Sequence, residues 1–350
     1  MLNLNDDQST ASCVVFPGGG AKGAFQAYLL WKVYELLGLN PGNSKYIWDI
    51  IAGSSIGAIL GGGLVTGKTP KYMLDMIVAL APKIFDASLI PGIGKPQATL
   101  LDKIAFLAGL EKSLYSNILL SNKLNEEFGD TKLSDIDGCT FIATGTKYSY
   151  VVEPGDIHPK YSGTNVWFSN MVDPNLTGRD FKLKDVCMAS AAAPAYFTPY
   201  LIENDVYLDG GLIQNNPINF AYSMLLKKKP KATKILILCV GTGLGNTGIA
   251  REKSTSAQDA MPSNATLLWD TVSLAIGGAQ EAGDLTMRNI ESASGVPIYY
   301  LYLDGLLDPS MNTELDSSSD ATLQYLQSEA QKVFDRNFDE INLFVQHLKS

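Results

Sequence analysis

The 350-residue chain has only two histidines, His158 and His347. A Ser-His-Asp relay needs a histidine beside its nucleophile. His347 lies near the C-terminus on an amphipathic, helix-like stretch, where a solvated face explains it. His158 precedes Pro159 in a polar loop and stays a weak candidate base. Cysteine is scarce too: Cys13, Cys139, Cys187 and Cys239, with no C-x-x-C pair. That argues against a zinc site, and the apolar runs around them mark small buried hydrophobes of a reducing compartment. Positive charge is in deficit, with 27 Lys and Arg against 36 Asp and Glu, a net charge of -9. Nucleic acid is therefore not expected as a partner. An anionic lipid surface exerts no general pull either, so membrane contact has to come from a local patch or apolar insertion. No window approaches the ~20 apolar residues of a membrane span. The polar, acidic N-terminus lacks the basic and apolar regions of a secretory signal. These absences predict a soluble cytoplasmic protein, peripheral at membranes or exported by a specialised route.

What the chain does have is apolar material, 46% of its residues, enough for a large core. No repeat, low-complexity tract or linker divides it, so one domain over 1–350 is expected, with its motifs in 12–245 and a helix-strand-helix remainder in 246–350. Residues 12–16 read as a buried strand, 24–38 as a helix closed by Gly38, and 46–52 as a second buried strand running into a turn and another helix. This βαβα order predicts a mostly parallel sheet covered on both faces. Further on, 139–153 reads as a long strand or a hairpin, 183–193 as a helix stopped by Pro194, and 200–208 as two short strands. Residues 217–228 read as a helix opened by Pro217, 234–240 as a central strand, 264–291 as helical, 297–303 as a strand and 320–348 as a closing helical segment.

Three glycine-bearing motifs carry chemistry. Gly53-Ser54-Ser55-Ile56-Gly57 fits G-x-S-x-G, in which a tight strand-to-helix turn exposes the central serine and glycines at -2 and +2 relieve close contacts. Taken alone it is also any glycine-rich turn holding a serine. Asp209-Gly210-Gly211 ends a short apolar strand, which can present the aspartate rigidly into a cleft or simply make a hairpin turn. With histidine so scarce, a carboxylate acting directly on the serine is the natural base, and partial desolvation would raise its basicity. Gly18-Gly19-Gly20-Ala21-Lys22-Gly23 links a strand to a helix, and consecutive glycines let several amides converge on one anion. The same loop matches G-x-G-x-x-G, but the acidic residue expected about 20 positions later in a dinucleotide site is missing: Leu39–Asn43 has no carboxylate, and the next one after it is Asp49.

Two further features compete. Gly62–Thr69 matches the P-loop pattern G-x4-G-K-[ST] and opens an alternative, a nucleotide hydrolase using Lys68 and Thr69. A P-loop directly follows a strand, however, and this one follows a helix. Lys227, Lys228 and Lys229, with Lys231 and Lys234, form a basic cluster that reads as lysines at a helix C-terminus or as contacts to lipid headgroups. Residues 84–110 mix apolar helix with a Pro/Gly loop and read as core helices or a docking lid.

Taken together and in this order, GGGAKG, GSSIG and DGG resemble the patatin-like phospholipases. SAAAPAYFTPY (190–200), Asn215-Asn216-Pro217 and VGTG (240–243) look similar too, so the likeness runs from about 12 to 245. The resemblance implies a patatin-like three-layer α/β/α sandwich around a mostly parallel central sheet, and a Ser-Asp dyad with no cofactor and no metal. It makes Ser55 the nucleophile and Asp209 the base. Gly18, Gly19 and Gly20 become the oxyanion loop, supported by Gly23, Gly53, Gly57, Gly210 and Gly211. Lys22 holds the family's basic position, helping to hold the loop or meeting substrate phosphate. The implied partner is a phospholipid or other acyl lipid met peripherally at a membrane, with an unidentified activator possible as in many bacterial members. Oligomeric state is left open. A non-catalytic lipid-binding module is the remaining alternative, and an intact dyad argues against it.

Overall fold

A computed structural model describes residues 8–38, 47–86, 113–151, 160–177, 180–245, 264–308 and 310–350. Strands β1 (Thr10–Phe16), β2 (Ile50–Gly53), β7 (Lys234–Val240) and β9 (Ile298–Leu303) run parallel in the order β2-β1-β7-β9. Their apolar runs are continuous because both faces are covered. Period-two alternation sorts them into two cores. Val14, Phe16, Ile51, Leu236 and Leu238 face one; Cys13, Val15, Ile50, Ile235 and Ile237 face the other. The first core is covered by α1 (Gly23–Leu37), α2 (Ile56–Val65), α3 (Pro70–Ile84) and the two C-terminal helices, Asp320–Arg336 and Phe338–Lys349. The second is covered by helices Ile218–Lys228 and Asn264–Ala293. The architecture is the expected α/β/α sandwich.

Strand β3 (Thr140–Val151) determines where the chemistry sits. Its first residues continue the parallel sheet, pairing Ile50–Gly53 of β2 with Thr140–Ala143. Its next residues, Gly145–Tyr148, pair antiparallel with β6 (Asp205–Asp209), and β5 (Tyr200–Ile202) closes that side. The opposite edge of β3 pairs with β4 (Lys160–Ser169). Sequence reading left β4 out because its apolar residues are few: Ser162, Gly163 and Thr164 are exposed on this outer strand. The closing segment 320–348 is two helices rather than one, broken at Asn337, whose side-chain Nδ2 donates to the Val333 carbonyl at 2.7 Å.

The P-loop match is a helix–helix corner. Gly62–Val65 belong to α2, and Thr69 caps α3 by accepting from the Tyr72 amide at 3.1 Å, with Pro70 opening the helix. Lys68 is tied to Glu127, through its carbonyl at 3.0 Å and its carboxylate at 3.2 Å. No strand precedes the loop, so the nucleotide-hydrolase reading fails on the placement of its motif.

The lysine cluster lies at a helix C-terminus, the first of its two readings, with partners inside the protein. Lys229 is 3% exposed and pairs with the buried Asp49 at 3.3 Å. Lys228 donates to the Asp49 carbonyl at 2.8 Å and to Thr140 Oγ1 at 3.0 Å, while the exposed Lys227 pairs with Asp173 at 2.8 Å. Lys228 and Lys229 fasten the end of helix Ile218–Lys228 to the N-terminal ends of β2 and β3. All four cysteines are buried and free, as their apolar surroundings implied.

Removing one partner of a buried pair strands the other charge. Lys229→Met is therefore expected to destabilise the fold by about 3–5 kcal/mol. Urea unfolding followed by circular dichroism measures this, and a loss below about 1 kcal/mol would mean that Asp49 is solvated.

Candidate active site

The turn after β2 is too tight for side chains at two positions. A Cβ on Gly53 would lie 2.2 Å from the Gly57 carbonyl oxygen, and one on Gly57 would lie 2.1 Å from that of Phe16. Between them Ser55 takes φ 54° and ψ -124°, a conformation costly for a residue with a side chain. The turn is held by the Ser54 amide donating to Phe16 (3.1 Å) and by the Ser55 amide donating to Ser190 Oγ (2.9 Å). Ser55 is thereby lifted to the N-terminus of α2.

Asp209 reaches the same point from β6. Its Oδ2 accepts the Ser55 hydroxyl at 2.7 Å, and its Oδ1 accepts the Gly211 amide at 2.6 Å. The Asp209 amide donates to Ala192, the Gly210 amide to Ser190, and Thr146 Oγ1 to the Asp209 carbonyl. Ser190 thus holds the Ser55 amide with its side chain and the residue after Asp209 with its carbonyl. Gly210 has no room for a Cβ, which would lie 1.9 Å from Thr144 Oγ1. The chain turns there into the short helix Gly211–Gln214 and not into a hairpin. Burial raises the Asp209 pKa to about 6 against the opposing hydrogen bonds from Ser55 and Gly211. It is thus a better base than an exposed aspartate and is still ionised at neutral pH.

The glycine loop divides its labour. The Gly18 amide is engaged by Asn215, through the carbonyl at 3.3 Å and Oδ1 at 3.1 Å, and Asn215 Nδ2 returns a bond to the Gly18 carbonyl at 3.2 Å. Gly18 therefore anchors the loop, and the amides of Gly19 and Gly20 are left without an acceptor among the described residues. Gly20 sits at φ +59°, and the Ala21 amide donates to the Leu315 carbonyl at 2.8 Å. Lys22 is not among the residues lining the cleft. Burial lowers its pKa while the Asp304 carboxylate opposes that shift.

Ser55, Asp209 and the glycine loop form the polar floor of a cleft of about 830 Å³. Its walls are apolar, among them Ile59, Met76, Leu80, Phe85, Tyr196 and Phe197, and among the described residues no lysine or arginine lines it. His347 is not on this lining; it is stacked on Tyr299 with ring centroids 3.8 Å apart. His158 and all but the first three residues of the lid or docking element expected in 84–110 lie outside the described residues. Sequence reasoning gave no role to Ser190, Asn215 or Leu315. The first two fall in stretches that looked familiar without a role attached, and Leu315 carries no local signal.

A family model described as patatin-like phospholipase matches residues 14–222, more than half of the chain. The chain belongs to the patatin-like phospholipase family. Its similarity to individual patatin-like proteins is lower. It is 25% identical over 332 residues to calcium-independent phospholipase A2-gamma of Oryctolagus cuniculus, covering 91% of this chain and 37% of that protein. It is 26% identical over 384 residues to patatin-like protein 1 of Arabidopsis thaliana, covering 96% and 84%. It is 28% identical over 239 residues to the cGAMP-activated phospholipase of Vibrio cholerae, covering 64% and 62%. The chain thus spans well under half of the rabbit enzyme. Among solved structures, VipD from Legionella pneumophila matches with a TM-score of 0.41 at 13% identity, covering 94% of this chain and 67% of that one. Membership of the patatin-like family supports lipid hydrolase activity.

In this patatin-like site the base has a stability cost. The folded state holds the Asp209 proton up to about pH 6, whereas an unfolded aspartate releases it near ~3.9. Between these values the native state binds more protons than the unfolded one, so stability falls as pH rises through that window. The loss at neutral pH is about 3 kcal/mol. Asp209→Asn is expected to raise the unfolding temperature at pH 7.5 and to leave it nearly unchanged at pH 4. A calorimetric scan at both values checks this, and an equal shift at both would remove the titration as its cause.

Proposed function

We propose that the chain hydrolyses fatty-acyl esters of phospholipids in the manner of a phospholipase A, with Ser55 as nucleophile and Asp209 as base. The observation that carries this reading is the 2.7 Å bond from the Ser55 hydroxyl to Asp209 Oδ2 on the floor of an apolar cleft. An acyl chain packs along the walls and brings its ester carbonyl to Ser55. Ser55 Oγ attacks the carbonyl carbon as its proton passes to Asp209. The resulting oxyanion is met by the Gly19 and Gly20 amides, with the N-terminal end of α2 adding a favourable field. Collapse expels the alcohol, which takes the proton back from Asp209 and leaves an acyl-Ser55 ester. Water then attacks that ester, losing its proton to Asp209, and the fatty acid leaves as Ser55 is restored.

The absence of any cation from the cleft lining among the described residues fits a substrate whose acyl chain is swallowed and whose headgroup stays outside. Peripheral contact with a lipid surface belongs to this reading, since the acyl chain must leave its aggregate to enter. Among the described residues, no helix is long and apolar enough to cross a membrane. An activating ligand or partner belongs to it too, since one relative is named for activation by cGAMP.

The test is covalent labelling by a fluorophosphonate, which reports an activated serine directly. The wild type is expected to label, Ser55→Ala to lose the label, and Asp209→Asn to slow it by about 10²–10⁴-fold, the usual contribution of a general base. The wild-type rate should climb with pH through about 6 and then level off, because only ionised Asp209 takes the proton. Undiminished labelling of Ser55→Ala would overturn the assignment.

A further inference from the structure

A buried polar network behind the glycine loop has no part in the mechanism above. Asp304, which follows β9, accepts four hydrogen bonds. Oδ1 takes the amides of Gly243 at 2.8 Å and Gly305 at 2.9 Å, and Oδ2 takes Tyr302 Oη at 2.6 Å and Gln280 Nε2 at 2.7 Å. Gln280 Oε1 in turn accepts from Thr242 Oγ1 at 3.4 Å. Thr242 is packed directly behind the loop, since a Cβ added to Gly19 would lie 2.5 Å from Thr242 Cγ2. A second tie joins the same two segments. Gln26, fully buried on α1, donates through Nε2 to the carbonyls of Pro17 at 2.9 Å and Val240 at 2.8 Å. The turn after β7 is therefore the back wall of the glycine loop, and Asp304 is what shapes that turn. At the other end of the loop, Lys22 lies in the field of the same carboxylate, and each charge favours the ionised form of the other.

We propose that Asp304 is a positioning residue for acyl transfer, setting the Gly19 and Gly20 amides through Gln280 and Thr242. This deepens the acyl-hydrolase reading and rests on it. The four donors around Asp304 demand a group that only accepts. Asparagine in its place would turn an NH₂ toward the Tyr302 hydroxyl or the backbone amides, so the size would be kept and the network broken. Thr242 would then lose its fixed orientation, and Gly19 its backing. An oxyanion donor acts only when it is aimed at the position the anion will occupy, so slackness there weakens the transition state more than the substrate complex. Asp304, Gln280 and Thr242 all lie beyond residue 222, where the family match ends. The later part of the chain thus braces a loop in its first twenty residues.

The experiment compares Asp304→Asn and Thr242→Ala with the wild type in the full chain, by fluorophosphonate labelling and ester kinetics. Asp304→Asn is expected to lower kcat roughly 10–100-fold, part of the 10²–10³ that a lost oxyanion donor costs. KM should stay within about two-fold, and the pH midpoint near 6 should not move, because the Ser55–Asp209 pair is untouched. Thr242→Ala leaves the buried charges alone, so it reports on the loop even where Asp304→Asn folds poorly, and it should lower kcat in the same selective way. Wild-type kcat in both folded Asp304→Asn and Thr242→Ala would overturn the positioning role. The acyl-hydrolase reading stands or falls separately on Ser55→Ala.

Discussion

The position of the site depends on one strand changing partners. Along one edge, β3 pairs first with β2, ending at Ala143 opposite Gly53, and two residues later with β6, starting at Gly145 opposite Asp209. Gly53 opens the turn that carries Ser55. Ser55 and Asp209 are 154 residues apart in sequence, yet the ladder of a single strand sets their spacing. A one-residue slip of β6 would move Asp209 to the other face of the sheet and leave Ser55 without its carboxylate partner. Such a slip is opposed from several sides, by Thr146 and Ala192 on the Asp209 backbone and by Thr144 against Gly210. Strand register brings the two residues together, and the turn after β2 aims the Ser55 hydroxyl.

Within that frame the site is held in two unfavourable conditions. Ser55 has a backbone conformation that side-chain-bearing residues avoid, and Asp209 is a carboxylate taken almost wholly out of water. Each makes the other tolerable. The strained turn points the Ser55 hydroxyl at Asp209, and that hydroxyl with the Gly211 amide supplies the hydrogen bonds that keep the buried carboxylate ionisable. Basicity is gained because desolvation exceeds the compensation from these two bonds. A third donor would return the group toward the pKa of an ordinary surface aspartate and weaken it as a base.

How much of this is legible in the sequence depends on the range of the cause. The turn around Ser55 is legible because its reason is local: Gly53 and Gly57 answer to backbone atoms of the turn and of the strand beside it. Asp209 is legible through its two glycines and through the want of histidine. The division of labour in the glycine loop is not. Whether the Gly18 amide is free depends on Asn215, 197 positions away, and no local pattern distinguishes Gly18 from Gly19. The partners of charges are hidden for the same reason. A run of lysines at a helix C-terminus says nothing of the buried Asp49 that sits against it, and Lys22 says nothing of Asp304 from the far end of the chain. The break at Asn337 lies in a segment whose apolar periodicity continues across it, so periodicity alone runs the two helices together.

The cleft and its surroundings differ in a way that bears on what it takes. Charge is present close by, in Lys22 and Asp304 behind the glycine loop and in Asp316, which accepts from Tyr115 at 2.7 Å behind the aromatic wall. None of these groups lines the cleft, where Asp209 is the sole carboxylate among the described residues. A pocket that recognised a phosphate would direct such cations inward, since a phosphate oxygen buried without them is costly. Here the described lining is left to hydrocarbon and two free amides. On the proposed acyl-hydrolase reading, that arrangement discriminates by chain and by carbonyl, and it leaves choice of headgroup to surfaces outside the cleft.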